Sequence, residues 1–164
     1  MKIFLGTDHV GFELKEAIKP FLEGLGFEVE DKGALTLNPE DDYPDFVTLV
    51  AKAVGEEPVK RKGVVFGYSG QAEAIVCNRI EGVRAAVYYG EAKPLEESAK
   101  KGKPVDIITA TREDNDSNIL SIGAGFVSED DAKNVIKKWL ETPFTGEDRH
   151  IRRISKIDHA DNII

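Results

Sequence analysis

The stretch that most constrains the fold is residues 61–80, where a strand pattern changes to a helical pattern at Gly67. Residues 64–66 (VVF) form a short β-branched and aromatic run, and residues 72–80 combine good helix formers with apolar spacing. A strand that turns through two glycines into a helix leaves backbone N–H groups unpaired beside the positive end of the helix dipole. The intervening GYSGQ, residues 67–71, is therefore a candidate cradle for an anion.

The helix after this junction carries a carboxylate, Glu73, in its first turn. An acid–base group then lies close to amides that could stabilise a negative charge, an arrangement that suits proton-transfer chemistry. Taken alone, the junction has a simpler interpretation, in which Glu73 is a favourable first-turn acid and Ser69 a turn residue. The residues in the rest of the chain are needed to distinguish the catalytic from the structural interpretation.

Strand patterns alternate with helical patterns along the whole chain. This alternation predicts a three-layer α/β/α, Rossmann-like domain with a five-stranded parallel sheet. In the first helix, Pro20 is expected to kink or shorten the helix, and Gly24 and Gly26 are expected to end it. The predicted strands are 1–6, 27–33, 64–66, 83–89 and 118–125, and the predicted helices cover 12–22, about 44–53, 72–80 and 129–140.

Composition limits the classes of function. The chain has 164 residues, of which 41% are apolar and 32% charged, as expected for one soluble domain spanning 1–164. No segment has the roughly eighteen consecutive apolar residues of a membrane span, and the first residues do not resemble a secretory signal, so a cytoplasmic protein is expected. A net charge of −8 disfavours nucleic acid as a partner. The single cysteine, Cys77, is expected to be a core residue without a chemical role.

Polar residues accompany the ends of three predicted strands. In parallel sheets with helices on both faces, ligands bind at the carboxyl ends of the strands. Asp8 and His9 follow the first strand, residues 68–73 follow the third, and Asp114 and Asn115 stand just before the fifth. We expect these groups to converge on one site. Alone, the histidine would more often be a turn residue, and the basic tail a solvated face.

The chain contains five stretches in the order of a known family: GTDHVGFELKEAI (6–18), DYPDF (42–46), the glycine loop (67–71), REDNDSN (112–118) and RHIRR (149–153). Together they resemble the ribose-5-phosphate isomerase B family, which also contains the galactose-6-phosphate isomerase subunits. The resemblance implies an aldose–ketose isomerase of phosphorylated sugars that uses no metal and no organic cofactor. It also implies a homodimer, or a dimer of dimers, with shared active sites and with the tail (about 143–164) packing on a neighbouring subunit.

The catalytic base of that family has two forms, a cysteine at the end of the third strand or a glutamate in the following helix. Here the cysteine position is Gly67, and Glu73 matches the glutamate form. Such a base removes a proton from the carbon beside a carbonyl and returns it to the neighbouring carbon, through an enediolate. Asp8, Ser69 or Asp114 could move the hydroxyl protons.

The resemblance also implies the substrate contacts, with ribose 5-phosphate as the expected substrate. The amides of residues 68–72 correspond to the anion cradle, Asn115 binds the sugar, and the tail arginines are phosphate ligands donated by the neighbouring subunit. The expected substrate-binding residues are His9, Tyr43, Gly67, Tyr68, Gly70, Gln71, Ala72, Asn115, Arg149, His150 and Arg153.

Three departures from the family pattern leave alternatives open. Asp114 stands where the family has its ring-opening histidine, Gly125 stands where it has another phosphate-binding arginine, and the charged excursion at 90–106 is longer than usual. A divergent member acting on another sugar phosphate, or a sugar-phosphate sensor without activity, therefore remains an alternative. A flavodoxin-like nucleotide binder is disfavoured, because the loop reads G-x-x-G and not G-x-G-x-x-G.

Overall fold

The computed structural model describes residues 1–92, 95 and 105–159. Its five strands form one parallel sheet in the order β2-β1-β3-β5-β4. The predicted fold class is confirmed. The strands are β1 (Lys2–Thr7), β2 (Glu28–Asp31), β3 (Arg61–Gly67), β4 (Ala85–Tyr88) and β5 (Ile119–Gly123).

Six helices and one short 3-10 turn, His9–Gly11, accompany these strands within the described residues, and the last two helices follow β5. The helices are α1 (Phe12–Gly24), α2 (Tyr43–Glu56), α3 (Gln71–Cys77), α4 (Ile107–Glu113), α5 (Glu129–Glu141) and α6 (Asp148–Ile154). Every helix in this part of the chain is too short or too polar to cross a membrane.

The sheet has a hydrophobic core on each face. On one face, α1 and α5 pack against the central strands, and Trp139 is fully buried there. On the other face, α2 and α3 pack against β1 and β3, with Val50 and Cys77 fully buried. Burial raises the pKa of the Cys77 thiol to about 12, which agrees with a core residue and no chemical role.

Several predicted boundaries were wrong. Pro20 lies inside α1 but does not shorten it, since the helix continues to Gly24, one of the two glycines predicted to end it. Helix α3 stops at Cys77 instead of Ile80, because Asn78 leaves the helix and its side chain bonds both backbone groups of Ala85 in β4. Helices α4 and α6 were not predicted, since α4 (IITATRE) is short and rich in β-branched residues and α6 (DRHIRRI) is short and strongly charged. The predicted excursion at 90–106 lies largely outside the described residues.

Candidate active site

The carboxyl ends of the three central strands lie side by side. Thr7 aligns with Phe66, and Gly67 aligns with Gly123. The loops that follow are joined by two backbone hydrogen bonds, from Ala124 N–H to the Gly67 carbonyl (2.8 Å) and from Gly125 N–H to the Tyr68 carbonyl (2.9 Å). This end of the sheet brings together the predicted site residues Asp8, His9, Gly67, Tyr68, Ser69, Gly70, Gln71, Ala72 and Glu73.

Glu73 lies at the centre of this group. Its side chain folds back over Gly67, so closely that a Cβ at that position would overlap the carboxyl group. Only 4% of Glu73 is exposed. Burial, and secondarily the nearby charge of Asp8, raise the pKa of the Glu73 carboxyl above its ordinary value. A carboxylate that is costly to keep ionised is a stronger base than a solvated one.

The conformation of the glycine loop is stabilised by a contact with β5. Gly70 has a φ of +74°, which favours glycine, and its carbonyl accepts a hydrogen bond of 2.6 Å from the buried Ser121 hydroxyl. One predicted cradle amide is already in use, because Gln71 N–H donates to Ser69 Oγ at 3.3 Å. Fewer backbone amides of this loop are therefore free to bind an anion than the sequence alone suggests.

Tyr68 lies against Gly125, the position of one departure from the family pattern. Its exposed ring meets Phe126 edge to face, with ring centroids 5.3 Å apart. A side chain at Gly125, the expected arginine position, would overlap the Tyr68 ring. In its observed conformation, the Tyr68 ring therefore excludes any side chain at position 125.

A second cluster lies beside Glu73 and contains a residue that the sequence interpretation missed. The buried Asp8 side chain accepts a hydrogen bond of 3.0 Å from Val10 N–H at the start of the 3-10 turn. His9 donates twice to Asp41 Oδ1, from its backbone N–H at 2.9 Å and from ring Nδ1 at 2.7 Å. Asp41 precedes α2 and is 32 positions away in sequence, so no local pattern pointed to it.

These three side chains are close enough to one another to be considered as ligands of a metal ion. However, two ligands of one Zn²⁺, each about 2.1 Å from the ion, are separated by about 3.4 Å in a tetrahedral site. His9 Nδ1 and Asp41 Oδ1 are only 2.7 Å apart, a hydrogen-bond distance. The geometry is that of a hydrogen bond between His9 and Asp41.

Asp114 and Asn115 lie at the opposite end of the sheet, which corrects the expectation that they join Glu73. They follow α4 and precede β5, and residues that precede a strand lie at its amino end. The backbone confirms this placement, because Arg84, just before β4, donates from Nε to the Asn115 carbonyl at 3.0 Å. The seven residues of β3 separate the two ends by about 20 Å.

The predicted tail residues lie at that same amino end. His150 is buried, with Nε2 3.6 Å from Asp114 Oδ1 and 3.9 Å from Glu147 Oε2. Arg149, which bonds to Glu147, and Arg153 are exposed. The tail contacts its own chain, since Gly82 N–H donates to Asp158 Oδ1 at 3.1 Å. Whether it also packs on a neighbouring subunit stays a prediction.

The amino end also carries an open cleft of about 480 Å³. Asn115, Arg79 and Arg84 line it, so it is distant from Glu73. Tyr43, another predicted substrate residue, begins α2 and packs against the hydrophobic core that α2 and α3 form with the sheet. Its role toward a substrate stays a prediction.

Comparison with known proteins agrees with the geometry. The profile of the Ribose/Galactose Isomerase family matches residues 3–157. The chain belongs to this family. It is 32% identical to ribose-5-phosphate isomerase B of Mycolicibacterium paratuberculosis over 94% of this chain and 87% of that protein. It is 34% identical to a putative sugar phosphate isomerase of Bacillus subtilis, over 96% and 95% of the two chains.

Solved structures show the same relationship. Ribose-5-phosphate isomerase B of Mycoplasma genitalium, crystallised with ribulose-5-phosphate, superposes with a TM-score of 0.84 at 29% identity and covers 99% of this chain and 97% of its own. The Clostridium thermocellum enzyme gives a TM-score of 0.82 at 35% identity, with 99% and 98% covered. These similarities extend over the entire fold and are not confined to a shared sheet.

Proposed function

We propose that this family member interconverts ribose 5-phosphate and ribulose 5-phosphate, with Glu73 as the base. The observation that carries the residue assignment is the buried Glu73 carboxyl over Gly67, at the carboxyl end of the sheet. Its raised pKa suits a group that must accept a proton from carbon and then give it back. The named relatives support the reaction and the substrate.

The proposed reaction moves one proton between two adjacent carbons. Ionised Glu73 removes the proton from C2 of the open-chain aldose, and the electron pair of that bond forms the enediolate. The glycine-loop amides stabilise the charge that develops on oxygen. Glu73 then returns its proton to C1, while the buried Asp8 or Ser69 carries a hydroxyl proton between O2 and O1. All atoms and charges balance without a metal or an organic cofactor.

We further propose that each active site is completed by a neighbouring subunit in a homodimer or a dimer of dimers. Arg149 and Arg153 lie near the amino end of the sheet, about 20 Å from Glu73 of the same chain. They could bind the phosphate of a substrate held by Glu73 only if a second copy presents them. Asp114 and Asn115 would accompany them. The cytoplasm, where sugar phosphates are metabolised, is the compartment in which we expect the enzyme to act.

Turnover of ribose 5-phosphate tests the proposal directly. We expect ribulose 5-phosphate to form, and we expect deuterium from D2O to enter the product at C1, because the base exchanges its proton with solvent in some turnovers. Other phosphorylated pentoses and hexoses should react more slowly. Binding of ribose 5-phosphate without turnover or exchange would favour the sensor alternative, and faster turnover of another sugar phosphate would change the substrate.

A further inference from the structure

In the two hydrogen bonds between His9 and Asp41, the histidine is the donor and the carboxylate is the acceptor. A carboxylate oxygen accepts hydrogen bonds, so both the backbone N–H and the ring nitrogen of His9 act as donors to Asp41 Oδ1. This fixes a proton on Nδ1 and fixes the orientation of the ring. The remaining ring nitrogen, Nε2, has no hydrogen-bond partner within the described residues, and 32% of the His9 side chain is exposed.

The environment of Asp41 favours a charged imidazole. Only 8% of the Asp41 side chain is exposed, and its second oxygen, Oδ2, is buried and has no hydrogen-bond partner in the part of the chain that the structure describes. A buried carboxylate with an unpaired oxygen is costly, and a cation compensates for it better than a neutral donor does. The hydrogen bond to Asp41 raises the pKa of His9 above its ordinary value, desolvation opposes the rise, and the charge of Asp8 adds to it.

The charges around His9 come from three elements. Asp8 belongs to its own segment, Asp41 lies in the loop before α2, and Glu73 of α3 interacts with Asp8. All three are acids, so an anionic substrate would meet repulsion at this end of the sheet. The exposed face of a protonated His9 offers an attractive contact, which Arg149 and Arg153 of the same chain cannot offer across the sheet.

We propose that Asp41 is a positioning residue for substrate binding: it holds His9 in one orientation and in its doubly protonated form, so that Nε2–H donates to the phosphate group of the sugar. This inference rests on the proposed function for its substrate. The effect of Asp41 on His9 is independent of the proposed function, because the titration of His9 can be measured even in a protein without turnover. Asp41 thus acts through His9 and touches no substrate atom.

The first test follows the titration of His9 by NMR, with His9→Gln used to assign its signals among the three histidines. Asp41→Asn should lower the His9 pKa and should weaken the binding of inorganic phosphate near pH 7.5. Asp42→Asn is the matched control, because Asp42 is an exposed neighbour whose side chain caps nothing. Unchanged titration of His9 in Asp41→Asn would overturn the proposal.

The second test separates KM from kcat. At pH 7.5, Asp41→Asn should raise KM for ribose 5-phosphate about tenfold, since a charged hydrogen bond is lost, with kcat changed less than about twofold. The difference should shrink at pH 5.5, because a larger fraction of His9 is protonated there in both proteins, and Asp41→Glu should restore most of the affinity. A loss that is equal at both pH values, or that falls on kcat, would show a merely structural role. Absence of turnover in the native protein would refute the proposed function and leave the first test decisive.

Discussion

The carboxyl group of Glu73 occupies the space in which a side chain at residue 67 would start. The glycine is therefore a steric requirement of the buried glutamate. The family resemblance places a base at one position or the other, a cysteine at residue 67 or a glutamate at residue 73. With Glu73 in its observed conformation the two cannot coexist, because a Cβ at Gly67 would overlap its carboxyl group and force it to move.

Glu73→Gln should keep the fold and the affinity for substrate while turnover falls about 10²–10⁴-fold, because an amide preserves the shape of the side chain and cannot accept a proton from carbon. Steady-state kinetics and calorimetric binding of ribose 5-phosphate measure the two effects separately. Glu141→Gln, an exposed change of the same kind at the end of α5, is the control. Wild-type turnover in Glu73→Gln would exclude this residue as the base.

Gly67→Ala should destabilise the fold by about 1–3 kcal/mol, since the new methyl group forces the buried carboxyl to move. The same substitution in a Glu73→Ala background should cost much less, because the methyl then enters the space that the carboxyl has left. Urea unfolding of the four proteins gives the coupling between the two positions. Equal costs in both backgrounds would mean that the carboxyl does not lie over Gly67 in solution.

The raised pKa of Glu73 predicts a specific dependence of stability on pH. A carboxyl whose folded pKa exceeds its unfolded value favours the folded state fully at pH values below the unfolded pKa, and it loses that contribution as pH rises through the folded pKa. Glu73→Gln should therefore be more stable than the native protein at pH 7, and the advantage should fade toward pH 4. Denaturant unfolding at a series of pH values tests this. An advantage of constant size would contradict it.

Mixing two inactive variants tests whether sites are shared. In a dimer of Glu73→Gln with a subunit carrying both Arg149→Ala and Arg153→Ala, one site receives both defects and the other receives none. Random exchange of subunits should restore about a quarter of native activity, because half of the dimers are mixed and each has one intact site. If each site were built from a single chain, the mixture would stay as inactive as its components. Analytical ultracentrifugation of the mixture shows that dimers have formed.

Local patterns were sufficient for the part of the site that is continuous in sequence. The VVF run, the two glycines and Glu73 lie within ten residues, and strand, loop and helix propensities act over that same range. The sequence also contained the information needed to place Asp114 correctly, since a residue before a strand belongs to its amino end. Asp114 follows a helix and precedes β5, so the direction of the strand places it at the end of the sheet opposite to Glu73.

The sequence by itself determined the alternation of strands and helices, the parallel sheet and the glutamate in the first turn of α3. Only the tertiary structure decided that Glu73 is buried over Gly67, that Asp41 holds His9, and that Arg149 and Arg153 lie at the far end of the sheet. Short-range propensities fix elements one at a time. Burial, charge and long-range hydrogen bonds arise only when distant segments pack together, and these are the quantities that set the chemistry of the site.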